Sequence, residues 1–328
     1  MPAVLERIHN LVMNGQTCCS PGRNTNSDAT AGSVFTRISQ GSTAGMQLLS
    51  GGDFLMGNER DYGFSADGEG PVHAVRIAPF WIDATTVTNE QFNEFVNATG
   101  FKTEAERFGW TFVFEGHLSE ARKAAMPRRV VPGNEWWWRV DGATWRHPEG
   151  PGSSIKQRWA HPVVQVSWHD AVAYAEWAGK RLATEAEWEF AARGGLGTEN
   201  RFPWGDELEP AGRHLMNVWQ GNFPTLNTEA DGHYGSAPAK TYRANGYGLY
   251  QMTGNVWEWC WDWFKTDYYS QSPPADPTGP ATGERRVMRG GSYLCHASYC
   301  NRYRVDARSG NVPDSAATNM GFRCVRDI

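Results

Sequence analysis

Sixteen tryptophans, 11 tyrosines and 15 phenylalanines share one chain with 36 glycines and 18 prolines. That many turn formers cut a chain into short elements joined by ordered loops. The rings supply the apolar burial that long helices and strands would otherwise provide. Together they predict a single α+β domain with few short helices and strands, much irregular structure, and most tryptophans in the core. The 328 residues carry a net charge of −5. That balance lacks the basic footprint that nucleic acid or an anionic membrane demands of its main partner. Apolar runs fall short of the ~20 residues of a membrane span. The N-terminus lacks the basic start and apolar stretch of a secretory signal, which reads as a cytoplasmic protein. Six cysteines in this length do not make a disulfide scaffold.

Residues 1–43 are rich in Ser, Thr, Asn and Gly without a sustained period. They read as a flexible tail, with a short helix near Val4–Met13 and with Cys18 and Cys19 as incidental neighbours. Residues 44–328 read as one domain. "MQLLSGGDFLMG" predicts two short strands about a glycine turn, and "HAVRIAPFWID" another strand. Three segments carry helix punctuation: Thr88 with Gln91 and a stop at Gly100, Ser167 with Asp170 and Gly179, Thr184 with Glu187 and Gly194. Residues 101–165 resemble an insertion holding Trp136, Trp137, Trp138, Trp145 and Trp159, and residues 197–328 read as loops and short strands. No fixed-period repeat or linker splits the domain.

Phosphate-binding, dinucleotide, serine-hydrolase and zinc-protease motifs are absent. Glu185, Glu187 and Glu189 share one helix, where solvent or its capped start accounts for them. Cys295 and Cys300 stand out in "RGGSYLCHASYCNRYRVDARSG". Zinc would need a second close pair of ligands, which the sequence does not present; in an extended segment His296 points away. Three readings stay open. The thiols could form a labile disulfide, which in a reducing compartment is transient or catalytic. They could hold a soft, low-coordinate ion such as Cu(I) or act in redox chemistry, with Arg289, Arg302, Arg304 and His296 favouring thiolate. Or they could be inert and buried.

"RGGSYLCHASYCNRYRVDARSGNVPDSAATNMGFRC" resembles the C-terminal segment of the formylglycine-generating enzymes, or sulfatase-modifying factors. "GNVWEW", "NGYGLY", "GKRLATEAEWEFAARGG" and "VSWHDAVAYAEWAG" resemble the same family. The resemblance implies the sulfatase-modifying variant of the C-type-lectin-like fold. It implies oxidation of the cysteine in a C-x-P-x-R motif of sulfatase polypeptides to Cα-formylglycine, using O2, a thiol or other reductant, and Cu(I) held between Cys295 and Cys300. Ser292 and Tyr299 would line the oxygen and substrate pocket, and Trp257 would stand beside the metal. Two Ca2+ sites are implied: Asn217, Val218, Asp231 and His233 for one, Gln251, Gly254, Val256 and Glu258 for the other. Gln251 replaces the family's usual Asn, and Ala183 stands where "RLPTE" has Pro. Ala175, Ala192 and Val305 replace cysteines that staple secreted members, and Cys324 lacks its partner, which agrees with a reducing compartment.

Two competitors remain. A relative acting on a small-molecule thiol, such as the iron-dependent sulfoxide-forming branch, would carry an extra helical domain with a histidine triad. A lectin-like binding module would have no need of Cys295 and Cys300. The peptide groove is expected to use rings and small residues for an extended peptide, with an acidic pocket for its arginine that the sequence does not locate. A monomer is expected.

Overall fold

The computed structural model describes residues 20–23 and 34–328. Three helices form where their caps predict. Asn89–Thr99, Trp168–Trp177 and Glu185–Arg193 each begin with a reciprocal capping box, from Thr88–Gln91, Ser167–Asp170 and Thr184–Glu187. Each box satisfies two backbone donors that the first turn leaves unpaired. Gly100 and Gly194 close the first and third in the left-handed conformation. Ala183 therefore leaves the third helix start intact.

Strands Met46–Leu49 and Gly52–Met56 form as expected but do not pair with each other. The first joins a four-stranded antiparallel sheet in the order Met46–Leu49, Phe80–Asp83, Cys324–Asp327, Arg181–Leu182. The second forms a hairpin with His73–Ile77. The single strand expected over "HAVRIAPFWID" is thus two, His73–Ile77 and Phe80–Asp83. Pro79 lies at the break, where it offers no backbone N–H to a ladder.

A second four-stranded sheet carries the cysteine segment. Its order is Arg308–Asn311, Arg286–Arg289, Trp257–Trp263, Met320–Gly321, with the last pair parallel. The stretch 101–165 is no loose insertion. Trp110–Phe114, Asn134–Asp141 and Val130–Val131 form a third sheet, with short helices Glu104–Phe108 and Glu120–Ala125. Only Trp159 and Trp177 among the tryptophans are exposed, so the rings do form the core. Within the tail, Ser20 and Arg23 are buried, and Arg37 pairs with Asp276 and Asp327. The helix expected near Val4–Met13 lies outside the described residues, as do Cys18 and Cys19. No helix among the described residues is long and apolar enough to cross a membrane.

Glu185, Glu187 and Glu189 do not face solvent; they are at most 5% exposed. Glu187 caps its helix and pairs with Arg181 at 2.7 Å. Glu185 accepts both nitrogens of a fork from Arg308 at 2.7 Å and one nitrogen of Arg289 at 3.0 Å. Glu189 takes Arg193 and Arg289. Burial forces the pairing, because a carboxylate out of water without a counter-ion is untenable. Glu185→Gln strands Arg308 as a buried charge and leaves Arg289 to Glu189 alone, and should lower stability by about 3–5 kcal/mol, read from the urea midpoint at unchanged m-value.

Candidate active site

Gly290 and Gly291 turn the chain out of strand Arg286–Arg289 with φ of 90° and 71°. A Cβ on Gly291 would come 2.7 Å from the Arg302 carbonyl. Only glycine permits that approach, and it draws residues 291–302 into a closed loop. Inside the loop the Cys295 N–H donates to the Ser292 carbonyl and the Cys300 N–H to the His296 carbonyl, both at 2.9 Å. These turns, where an extended segment was one reading, aim both side chains inward. Cys295 and Cys300 are fully buried with sulfurs 3.0 Å apart. A disulfide measures about 2.05 Å, so the two sulfurs touch without being bonded to each other.

The Ser292 N–H donates to Cys295 Sγ at 3.4 Å, and its hydroxyl lies 4.0 Å from the same sulfur. Asn319 Nδ2 donates to that hydroxyl at 3.0 Å. Asn319 was not singled out from the sequence; its only signal is its place in "TNMGFRC". The Tyr299 hydroxyl donates to the Leu294 carbonyl at 2.6 Å, bracing the loop. Its ring stacks on Phe223 at 4.0 Å and meets the edge of Trp136. Trp257 is fully buried in the same apolar cluster as both cysteines, and its indole N–H has no acceptor. A buried donor of this kind is available to a bound molecule.

The expected basic field at the sulfurs is not there. Arg289 pairs with Glu185 and Glu189, Arg302 with Asp67, and Arg304 with Glu69 and Asp306. Those carboxylates neutralise the guanidiniums. His296 is half-buried, and its Nδ1 lies 2.8 Å from Ser298 Oγ. Cys260 and Cys324 are buried singly, and burial pushes both thiols well above their ordinary range.

Among the described residues no group of three or more His, Cys, Asp or Glu could hold a metal. Zinc therefore lacks its further ligands. Cys300 is disulfide-bonded in this structure, though not to Cys295; once it is reduced, two touching sulfurs without hard oxygen donors fit a soft monovalent ion.

In the first set, Val218 and His233 meet at the Asp231 carboxylate through their backbone N–H groups. The Val218 N–H donates to Asp231 Oδ2 at 3.2 Å, and the His233 N–H to Asp231 Oδ1 at 3.0 Å. Gln220 Nε2 donates to both the Val218 carbonyl and Asp231 Oδ2. Asn217 Oδ1 is buried with no donor. A buried oxygen without a donor is the kind of group a hard cation takes. The second set fits less well. Gln251 Oε1 is a buried orphan, and Gln251 holds φ of 46°, which asparagine tolerates better. Glu258, however, is committed to Arg323 and to the Trp188 indole, at 2.7 and 2.8 Å. Gly254, between Gln251 and the buried Val256, is tied by its N–H to the Gly290 carbonyl at 2.8 Å.

A cavity of about 230 Å³ lies against the cysteine loop, lined by His117, Glu149, Arg158, Tyr234 and Tyr293 among others. His117 Nε2 sits 2.9 Å from the Tyr293 hydroxyl, and burial pulls its pKa down to about 4. Nothing in the sequence marked it.

A family model described as the sulfatase-modifying factor enzyme 1-like domain matches residues 31–328. The formylglycine-generating enzyme of Streptomyces coelicolor is 59% identical over 286 residues, which cover 87% of this chain and 90% of that protein. The inactive C-alpha-formylglycine-generating enzyme 2 of Bos taurus is 45% identical over 293 residues, covering 88% and 90%. PvdO from Pseudomonas aeruginosa shares the fold, with a TM-score of 0.62 at 24% identity over 86% of this chain and 94% of that one. The α+β architecture is thus the sulfatase-modifying one that the resemblance implied, and the chain belongs to the formylglycine-generating enzyme, or sulfatase-modifying factor, family.

Proposed function

We propose that this chain converts the cysteine of a C-x-P-x-R segment in sulfatase polypeptides to Cα-formylglycine, with O2 as oxidant and a thiol as reductant. The observation that carries the reading is the contact between Cys295 and Cys300, buried 3.0 Å apart in a chain of this family. The chemistry balances as follows. One peptidyl cysteine thiol, one dioxygen and two reductant thiols yield one aldehyde, one hydrogen sulfide, one water and one reductant disulfide. The substrate carbon gives up two electrons and the reductant two, and dioxygen takes four. The Cβ–S bond breaks, and the aldehyde oxygen comes from water.

With the Cys300 disulfide reduced, Cu(I) held by Cys295 and Cys300 would supply a soft position for the substrate sulfur and the one-electron chemistry that O2 needs. The chain's own residues do the rest. The Ser292 backbone N–H and hydroxyl orient Cys295, and Asn319 orients that hydroxyl. The turns at Ser292 and His296 set the spacing of the two sulfurs. Tyr299, Phe223 and Trp136 form an aromatic wall that keeps water from the sulfurs. Trp257 offers an unpaired N–H within the same buried cluster.

Ca2+ is proposed at Asn217, Val218, Asp231 and His233. The next residue, Trp219, donates its N–H to the Cys295 carbonyl at 3.1 Å. An ion there would stiffen the backbone that carries Cys295 without touching sulfur. Calcium at Gln251, Gly254, Val256 and Glu258 would have to share Glu258 with Arg323.

The test mixes the protein, Cu(I), O2, a thiol and a C-x-P-x-R peptide, and mass spectrometry follows thiol to aldehyde. Cys295→Ser and Cys300→Ser should each lower the rate by more than about 100-fold and abolish binding of one Cu(I) per chain. Ser292→Ala should lower the rate about 10–100-fold, in the range of lost supporting contacts at metal sites. Undiminished turnover in either cysteine variant would refute the reading. Separately, Ca2+ should raise the melting temperature of the wild-type chain, and Asp231→Asn should remove most of that rise, as linkage between binding and folding requires.

A further inference from the structure

Cys19, Ser20, Pro21, Gly22 and Arg23 spell C-x-P-x-R, the pattern proposed above for the client peptide. Cys19 lies outside the described residues, but the four that follow it are seated on the core. Ser20 is 0% and Arg23 2% exposed. A short polar stretch from a Ser- and Asn-rich tail has no reason of its own to leave water. Here the core supplies one.

The proline and the arginine of the pattern are the residues held. The Pro21 carbonyl accepts from Asn311 Nδ2 at 3.1 Å and from Ser315 Oγ at 2.6 Å. Arg23 Nε donates to the Asp314 carbonyl at 2.9 Å, and a terminal nitrogen donates to the Trp110 carbonyl at 2.7 Å. Its guanidinium lies over the rings of Phe108 and Trp110, 4.3 and 4.0 Å from their centroids. Burial pulls its pKa down to about 10, while the carboxylates of Asp314, Glu104 and Asp170 act on it favourably and Arg139 opposes them. Two ring faces and fixed carbonyls select a planar guanidinium over an ammonium.

This seat shares two elements with the cysteine loop, with Asn311 opposite Arg286 at the other end of the ladder from Ser292. Asn311 ends strand Arg308–Asn311, whose partner Arg286–Arg289 runs through Gly290 and Gly291 into Ser292. Beyond Ser315 the same chain reaches Asn319, which donates to Ser292 Oγ and whose carbonyl accepts the Trp257 N–H at 2.8 Å.

We propose that Cys19–Arg23 is a tethered copy of the substrate motif, and that Ser20–Arg23 rest in the groove used by the client's C-x-P-x-R peptide, so that tail and client compete for one site. The proposal rests on the functional reading above and deepens it. Asn311 and Ser315 become the proline subsite, and Phe108, Trp110 and Asp314 the arginine subsite. A tethered ligand acts at an effective concentration on the order of millimolar. The client's apparent affinity is then cut by the fraction of chains whose groove is open.

The test uses the full-length chain, the full-length Arg23→Ala and Arg23→Lys variants, and a C-x-P-x-R peptide whose cysteine is replaced by serine, so that nothing turns over. Calorimetry should show the peptide binding Arg23→Ala at least about 10-fold more tightly than wild type, with Arg23→Lys between them. Saturating peptide should also speed hydrogen exchange at residues 20–23 of the wild-type chain. In the Arg23→Ala background, Trp110→Ala should weaken the peptide about 5–10-fold through loss of the ring under its arginine. Equal affinity for wild type and Arg23→Ala, unchanged protection of residues 20–23 under bound peptide, or no binding to either chain overturns the proposal. Aldehyde formation in the turnover assay judges the functional reading separately, so that reading can survive this failure.

Discussion

Glu185 is 1% exposed and holds two guanidiniums, Arg308 through a two-nitrogen fork and Arg289 through one nitrogen, and it also accepts the Tyr269 hydroxyl at 3.2 Å. Removing three charges from water costs several kcal/mol per ion unless every partner is already in place. Helix Glu185–Arg193 and strands Arg286–Arg289 and Arg308–Asn311 must therefore arrive together. One of those strands runs into the cysteine loop, and the other ends at the residue that holds the Pro21 carbonyl. The cysteine loop and the residue that holds Pro21 both depend on this pairing.

The molecule keeps soft and hard donors apart. Sulfur from Cys295 and Cys300 lies inside a loop braced by Tyr299 and Ser292. The Asp231 carboxylate takes the Val218 N–H, and the next residue, Trp219, donates its N–H to the Cys295 carbonyl. Thiolates select soft ions and carbonyls select hard ones. Two different ions could therefore act on one loop, one on its side chains and one through its backbone, without competing for ligands.

Much of the local structure was legible. Thr88, Ser167 and Thr184 each announced a helix because a capping box needs only residues three apart. The paired cysteines, Ser292 and the calcium-loop residues were tied to a role only through their resemblance to a family, and the backbone N–H groups of Val218 and His233 do meet at the Asp231 carboxylate. Strand partners were not legible: Met46–Leu49 and Gly52–Met56 look like a hairpin and belong to different sheets. Glu185 and Glu189 read as solvated because their partners Arg289 and Arg308 lie at least 100 residues away. For the same reason Arg289 read as a cation beside the thiols, when its charge is already matched. His117 and Asn319 sit on elements with no pattern of their own.

The sequence by itself determined the helix starts, the glycine pair that lets the chain turn at Arg302, the two thiols five positions apart, and the letters C-x-P-x-R in the tail. All of these depend on neighbours along the chain. Only the tertiary structure decided which charges are matched, which oxygens are left unpaired, that the sulfurs touch, and that Pro21 and Arg23 are seated on the core. Those outcomes depend on desolvation and on partners brought together across hundreds of residues, and local pattern carries no record of either.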